Sequence, residues 1–476
     1  MQYFPWYQLP TEIQLDILGY LAYAEHRAGA SLASYAVVSK SWQAVFEPLT
    51  FGQLRLSLRD LSQFIRTCHG CRQRIVRHIG IIIDLPEETP VYAQSLHGSP
   101  EAVDFGELYL MSRHHTPTDR SSRLRAQMGL NDTIFNSTLY SFLAILALWR
   151  PAECHRDGIT LELIATSASY WQRLARQIHQ RPLATKIYLD QPDTRRPRAI
   201  TLNPMQRWDV LAAAELNFNM ELSVNLRLSR LLKVPVVSKF SIHGSTIRNF
   251  SFTTITSIMG CFPALTHVDL ELWERWDGSS KHLDHVQYIL QLPRWSDSIR
   301  RVSIRQRENL AFGTDIRADS PCLRRLGAAF GRLSIRLDHL RVSMVLDVEV
   351  FMAANTGQWA SLETLVLRSA RPLHSAAASP LDDVLPTVSR ALRRMPRLKK
   401  LVLCHHNQTE ASMFACHVSE ENMQIQFTHC GQFNEKRITS LWQSIALARR
   451  NKVEWVVRRV PYARVDWINR QVLLQS

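Results

Sequence analysis

The stretch that decides the fold is FPALTHVDLEL, residues 262–272, and two later stretches share its form: WASLETLVLRSA at residues 359–370 and MPRLKKLVLCHHN at residues 395–407. In each one, Leu and Val recur over a strand-length run bounded by Pro, Ser or polar residues. Segments with helical spacing separate these runs, which recur at roughly 25 to 40 residues. The sequence therefore predicts repeated units of helix and strand.

The same succession of helix and strand extends over much of the chain. Helical spacing in residues 134–150 precedes a predicted strand at 158–166, and the strand-like residues 236–242 precede a helix from about Ser251 to Met259. Further helix and strand pairs are DHVQYILQL (284–292) with IRRVSIRQ (299–306), CLRRLGAAF (322–330) with HLRVSMVL (339–346), and VLPTVSRALRRM (384–395) with LKKLVLC (398–404). In such arrays each unit buries its apolar face on its neighbour.

These runs resemble leucine-rich repeats, although their spacing is uneven and a regular Asn position is lacking. The resemblance implies an irregular α/β solenoid with a concave face of parallel strands, which is suited to binding a protein. An ordinary three-layer α/β domain is the alternative.

The first fifty residues have a different, helical pattern. Apolar residues spaced four apart line one face of the segment LPTEIQLDILGYL, residues 9–21, with Leu18 broadening the stripe. Pro10 lies where a helix can begin, since its missing amide donor is not needed there. Residues 32–51 fit two further short helices, and Pro48 is predicted to end the helical pattern. Three short helices cannot bury all their apolar faces on each other, so either the rest of the chain or a partner covers the remainder.

Residues 9–21 and 32–51 together resemble the F-box, in particular the version common in fungal F-box proteins, over about residues 5 to 55. The resemblance implies a surface that binds the Skp-type adaptor of a cullin-RING (SCF) ubiquitin ligase. Trp42 would be its central anchor, although a Trp in this position also fits an intramolecular core. Carried over position by position, the adaptor-binding residues are Leu9, Pro10, Ile13, Ile17, Leu18, Leu21, Val38, Ser39 and Trp42.

The expected fold class is therefore α/β, with an N-terminal three-helix F-box followed by an irregular leucine-rich-repeat-like α/β solenoid. We assign residues 1–50 to the F-box, 51–133 to a connecting region and 134–476 to the repeat-like, substrate-binding domain. The connecting region contains a short strand, a helix starting near Leu58 and a buried strand from Ile75 to Leu85. Residues 86–133 show little periodicity, which indicates a flexible insertion.

Composition restricts the class of protein. The chain has 476 residues, of which 46% are hydrophobic and 21% are charged, as in an ordinary globular protein. The N-terminus lacks a signal-peptide pattern, and no apolar stretch reaches the length of a membrane span. Eight scattered cysteines do not form a disulfide framework. We expect a protein with reduced thiols in the cytoplasm or nucleus and no membrane partner.

The net charge is +15, which indicates affinity for an acidic surface. The densest basic groups are Arg195, Arg196 and Arg198; Arg393, Arg394, Arg397, Lys399 and Lys400; and Arg449, Arg450 and Lys452. Because basic residues are distributed along the chain rather than blocked, a solvated basic surface is favoured over a nucleic-acid groove.

Motifs for catalysis or for a cofactor are missing from the sequence. The CHGC stretch at Cys68 to Cys71 is one half of a zinc-site pattern without a second cysteine pair nearby. No P-loop, dinucleotide turn, HExxH or GxSxG motif occurs. The sequence predicts no enzyme, no metal and no cofactor.

From this pattern we expect a non-catalytic substrate-receptor subunit of an SCF-type ligase. Its partners would be a Skp-type adaptor, a cullin and an unknown protein target. The alternative is a basic nucleic-acid-binding or scaffold protein without a ligase role.

Overall fold

The computed structural model describes residues 6–28, 32–85, 117–167, 186–189, 198–201, 232–243, 250–273, 286, 288–307, 320–355, 357–371, 373, 384–406, 411–419, 422–430, 442–443 and 452–459. The chain divides into two compact units, of which the first comprises residues 1–232 and 245–250 and the second comprises residues 233–244 and 251–476. Both units contain helices and strands, so the protein is mixed α/β. The boundaries predicted after residues 50 and 133 stay predictions.

The first unit begins with a small group of helices, which we call the helical module (residues 6–51). A 3₁₀ turn at Trp6–Gln8 precedes α1 (Thr11–Ala28), and a second turn at Tyr35–Val37 precedes α2 (Lys40–Phe51). The middle one of the three expected helices is thus a single 3₁₀ turn.

Pro48 does not end the helical pattern, because it lies inside α2, which continues to Phe51. Proline removes one amide donor from the helix, but its carbonyl still accepts, and the amide of Gly52 donates to it at 2.9 Å. Pro48 is exposed, so water can reach the carbonyl one turn earlier that lacks its usual donor.

Three parallel strands follow the helical module in the first unit: β1 (Gln53–Ser57), β2 (His78–Leu85) and β3 (Ile159–Ser167). β2 lies between the other two and pairs with both in parallel. Between β1 and β2 the chain forms α3 (Leu61–Thr67) and 3₁₀ turns at Leu58–Asp60 and Gly70–Arg74. Between β2 and β3 it forms α4 (Pro117–Ala147) and a turn at Pro151–Glu153. A separate antiparallel pair joins β4 (Lys186–Leu189) to β5 (Arg198–Thr201).

The expected insertion at residues 86–133 is wrong over its last part. Residues 117–133 belong to α4, which the sequence analysis began only at residue 134. This segment, PTDRSSRLRAQMGLNDT, contains few apolar residues, so it carries no apolar stripe from which helical periodicity could be read. Residues 86–116 lie outside the described part of the chain.

The second unit contains β6 (Val237–Ile242), β7 (His267–Trp273), β8 (Arg301–Arg307), β9 (His339–Leu346), β10 (Thr364–Ser369) and β11 (Lys400–His406). These six strands pair in chain order and all in parallel. The connecting segments contain α5 (Phe252–Met259), a 3₁₀ turn (Leu292–Arg294), α6 (Pro321–Ser334), α7 (Val348–Ala353) and α8 (Val384–Leu392). All the expected strands in this unit are confirmed; α7 was not foreseen.

The sheet continues with β12 (Ala411–Val418), β13 (Asn422–Cys430) and β14 (Lys452–Arg459). β12 is antiparallel to both β11 and β13, whereas β14 is parallel to β13. The sequence analysis did not resolve these three strands.

The same backbone hydrogen bond recurs where successive strands begin. The amide of Thr266 donates to the carbonyl of Ser238 at 2.9 Å, and the amides of Arg300 and Arg301 donate to the carbonyl of Thr266 at 2.8 and 3.0 Å. The next acceptors in this series are the carbonyls of Arg300, Asp338 and Glu363. Each of these strands is therefore joined to the next strand by equivalent backbone hydrogen bonds at its start.

The core of the second unit lies between the strands and their helices. In β7, β8 and β9 every second residue is buried, for example Val268, Leu270, Val302 and Ile304. α6 and α7 approach closely because α6 presents Gly327 to α7, and a Cβ on Gly327 would lie 2.4 Å from the carbonyl oxygen of Asp347. Among the described residues, no helix is both long and apolar enough to cross a membrane.

Candidate partner-binding surface

The helical module has its own small hydrophobic core. Leu18 of α1 and Phe46 of α2 are fully buried in this core, and Ala22 and Leu32 are nearly so. Aromatic rings close this core on one side. The Trp42 ring lies 5.6 Å from that of Phe46 and 6.0 Å from those of Trp6 and Tyr35.

One face of α1 remains apolar and exposed. Ile13 and Ile17, which are four residues apart and share one side of the helix, are 45% and 43% exposed. Tyr20 lies next to them and is 79% exposed. Leu21, which is half-buried, connects this face to the core. Large apolar side chains in this arrangement are typical of a surface that a partner covers.

A second apolar site is the turn before α2. Val37 is 85% exposed and Val38 is 59% exposed. Val37 also lines an open cleft of about 570 Å³, together with residues of α2 and Arg72. We call the face of α1 formed by Ile13, Ile17 and Tyr20, together with the turn formed by Val37 and Val38, the apolar docking surface.

The nine residues expected to bind an adaptor do not all lie on this surface. Ile13, Ile17 and Val38 are exposed, and Leu9 and Leu21 are half-buried. Pro10 is exposed at the start of α1, where its carbonyl accepts from the amide of Gln14 at 3.0 Å. Leu18 is different: it is fully buried inside the module and is not available to a partner.

Ser39 and Trp42 have structural roles within the module. Ser39 is the N-cap of α2, and its hydroxyl oxygen accepts from the amide of Trp42 at 3.3 Å. The Trp42 indole is half-buried among the rings of its own module. Trp42 therefore packs inside the module, whereas the side chains that form the apolar docking surface are exposed.

Polar contacts that were not predicted from the sequence also hold the module in place. The side-chain amide of Gln14 donates to the carbonyls of Trp6 and Leu9, at 3.2 and 2.9 Å, and so fixes the first turn against α1. Arg72 donates from Nε to Glu47 of α2 at 2.6 Å. The helical spacing of Glu47 with Gln43 was visible in the sequence, but the partner 25 residues later was not.

The CHGC stretch does not form a metal centre with other described residues. Cys68 is buried and Cys71 is exposed. Burial raises the pKa of the Cys68 thiol, which disfavours the thiolate needed to bind a metal or attack a substrate. Within the described ranges, no three His, Cys, Asp or Glu side chains are close enough together to hold a metal ion.

The basic group at residues 393–400 separates into different roles. Arg394 donates to the carbonyl of Met352 at 2.9 Å and lies over the buried ring of Trp359, 5.0 Å from its centroid. Lys399 pairs with Glu363 at 3.0 Å. Lys400 lies opposite Thr364 in the register of the sheet. The other two basic groups fall wholly or mainly outside the residues whose side chains are described.

Comparison with known proteins gives a match to one family model, described as a family of unknown function (DUF6546), over residues 291–472. The matched region begins near β8 and covers the later strands of the second unit. No curated protein shows significant similarity to the chain.

Proposed function

We propose that this chain is a substrate-receptor subunit of an SCF-type E3 ubiquitin ligase. In this proposal, the helical module is an F-box that binds a Skp-type adaptor, which in turn joins the cullin. The second unit then presents a protein target, in the cytoplasm or nucleus. The observation that carries the proposal is the exposed apolar face of Ile13 and Ile17 on a module that has its own core.

The energetics of the apolar docking surface support a protein partner. Burial of apolar area is worth about 25 cal/mol per Å², and a few well-placed side chains supply most of the affinity of an interface. Leu18 and Phe46 form the core of the module. Ile13 and Ile17 are therefore not needed to hold the module together. Their exposure leaves them available to a helix or groove of an adaptor.

The order of the strands supports a solenoid in the second unit. From β6 to β11 each strand pairs with the next one in sequence, always in parallel. A doubly wound three-layer domain instead reverses its strand order at a switch point. The recurring backbone bond at the start of successive strands is a further repeat feature. A solenoid offers its strands as an extended binding face.

The proposed role needs no catalytic side chain. Holding a target lysine beside a charged conjugating enzyme replaces a bimolecular encounter with an effectively intramolecular one. The chain would contribute two binding surfaces, one for the adaptor and one for the target.

The test is binding of the full chain to a purified Skp-type adaptor. We expect Ile17→Ser to weaken binding by about 2 kcal/mol, or roughly thirtyfold, since it removes an apolar anchor. Leu15→Ser is the matched control. Leu15 is 48% exposed, as Ile17 is at 43%, but it lies about 200° round the helix from Ile17.

Both substitutions place serine in the same helix, and Leu15→Ser loses somewhat more helix propensity than Ile17→Ser, so a larger binding defect in Ile17→Ser cannot come from helix propensity. Equal weakening by the two variants would contradict the docking surface. Absence of binding by the native chain would contradict the F-box proposal. If the native chain binds no adaptor but captures DNA or RNA in a salt-sensitive way, the alternative, a nucleic-acid-binding protein, is favoured.

A further inference from the structure

The strand face opposite the helices of the second unit carries a row of basic side chains, which are Lys, Arg and His. In the register of the sheet, Lys239 lies opposite His267, His267 opposite Arg301, and Arg301 opposite His339. Neighbouring strands are about 4.8 Å apart, so four adjacent strands place these groups side by side. We call these four residues the cationic row.

The row continues past β9. His339 lies opposite Thr364, Thr364 opposite Lys400, and Lys400 opposite His417. From Lys239 to His417, no position of this register carries a carboxylate. His267 lies between Lys239 and Arg301 in this register, so the two charges are two strands, or roughly 10 Å, apart on one face. One extended acidic segment can reach both.

Burial and the neighbouring positive charges together disfavour the protonated form of the imidazoles. Burial first, and then the charges of Arg301 and Lys239 together with His339, lower the pKa of His267 to about 4. Asp338 acts in the opposite direction but does not cancel these effects. The pKa of His339 is lowered by burial and by Arg301, although Glu363 and Asp338 act in the opposite direction. The pKa of His417 is lowered by burial and by Lys400.

The next positions on the same face carry charges of both signs. Arg305 donates to both carboxylate oxygens of Asp269, at 3.2 and 3.1 Å, and lies 3.9 Å from Glu271. Arg341 is near Asp269 and Arg305. A nucleic-acid backbone, with a charge at every phosphate, would meet these carboxylates beside the cationic row. A peptide can place acidic side chains on the row and neutral or donor groups opposite Asp269 and Glu271.

We propose that the cationic row binds an acidic segment of a protein partner. This inference deepens the proposed function, because it gives the chemical character of the target. It rests on the proposed function only where it identifies the partner as a target of the ligase. Lys239 and Arg301 are the exposed charges of the row and make the first contacts. Charge-assisted hydrogen bonds to carboxylates or phosphates would hold the segment.

The probe is a fluorescein-labelled peptide of ten glutamates, titrated with the full chain and followed by fluorescence anisotropy. We expect the Lys239→Gln, Arg301→Gln double variant to bind at least about tenfold more weakly than the native chain. The matched control is Arg324→Gln, Arg325→Gln, which removes the same charge from exposed positions of α6 and should leave binding within about twofold, because exposed charges beyond a Debye length are screened.

Three results would overturn the proposal. One is that the native chain binds the glutamate peptide no better than an uncharged Gly-Ser peptide. Another is that the α6 variant weakens binding as much as the row variant, which would mean diffuse attraction. The third is that a twelve-base-pair DNA duplex binds more tightly than the peptide and is lost in the row variant, which would make nucleic acid the ligand.

Adaptor binding by the same variants separates the two proposals. The row variant should bind the Skp-type adaptor as the native chain does. If the native chain binds the glutamate peptide through the row but binds no adaptor, the acidic-segment site stands and the ligase assignment falls.

Discussion

Arg72 donates from Nε to the carboxylate of Glu47 at 2.6 Å, and this contact joins α2 to the 3₁₀ turn Gly70–Arg74, which begins inside the CHGC stretch. The side chain of Glu47 is 11% exposed and that of Arg72 is 32% exposed. Arg72 also donates to the carbonyl of Thr67 at 3.2 Å and lies over the ring of Phe51, 4.8 Å from its centroid. One guanidinium thus orients the helical module on the segment that leads into β2.

Removing this guanidinium should destabilise the first unit. We expect Arg72→Met to lower the free energy of unfolding by about 2 kcal/mol, since it leaves a largely buried carboxylate without its charge partner. The Glu47→Gln, Arg72→Met double variant should lose less than the sum of the two single variants. Urea denaturation of all four proteins gives the coupling energy, and strict additivity would show that the pair does not interact.

The close approach of α6 and α7 should make Gly327 intolerant of a methyl group. A Cβ there would lie 2.4 Å from the carbonyl oxygen of Asp347, so Gly327→Ala should cost about 1–3 kcal/mol as the helices are forced apart. Gly19→Ala in α1 is the contrasting case. Nothing lies within 4 Å of a Cβ there, so this variant should gain roughly 0.5–1 kcal/mol from helix propensity. Thermal or urea unfolding that gave the two variants the same sign would contradict this packing.

Ser39 should act through the helix cap. Ser39→Ala should lower stability by about 1 kcal/mol, because the amide of Trp42 loses its acceptor, whereas Ser39→Asp should retain most of it. Circular dichroism during urea titration measures both variants. If Ser39 instead contacts an adaptor directly, Ser39→Asp will fail to bind while remaining as stable as the native protein.

His267 should make the second unit less stable in mild acid. Its pKa is about 4 in the folded chain, against about 6.5 in an unfolded one. Between these values the unfolded state binds a proton that the folded state does not, so stability falls as the pH is lowered from about 6.5 toward 4. The lowered pKa values of His339 and His417 act in the same direction.

We therefore expect His267→Gln to reduce this loss of stability without abolishing it. The measurement is the free energy of unfolding of both proteins at pH 7 and pH 5. The carboxylates are the same in both proteins, so the difference between native and variant isolates the imidazole. An unchanged difference between pH 7 and pH 5 would show that His267 titrates normally.

Patterns of short range made the strands predictable. Alternating Leu and Val in residues 262–272 indicate one buried strand face, since side chains alternate along a strand. The continuous apolar run at residues 401–404 indicates a strand buried on both faces. The helix from about Ser251 to Met259 was likewise predictable from the sequence, because helical spacing is a local pattern. The extent of α4 and the continuation of α2 through Pro48 were not predictable, since tertiary packing decides whether a weak helical segment is retained.

The same distinction between local sequence pattern and tertiary packing applies to the candidate site residues. Periodicity placed Ile13, Ile17 and Leu18 together on α1, but neighbouring positions on a helix face can point inward or outward. Only the packing of α1 on α2 showed that Leu18 fills the core while Ile13 and Ile17 remain exposed. For Trp42, three aromatic rings from the 3₁₀ turns and α2 decided in favour of internal packing.

The sequence by itself determined the mixed α/β class, the positions of the parallel strands in the second unit and an amphipathic first helix, because each depends on the spacing of nearby residues. Only the tertiary structure decided that Lys239, His267, Arg301 and His339 lie side by side. These residues are separated by 28 or more positions, and the register that aligns them is set by pairing between distant strands. No local pattern in the chain encodes which residues meet across such a sheet.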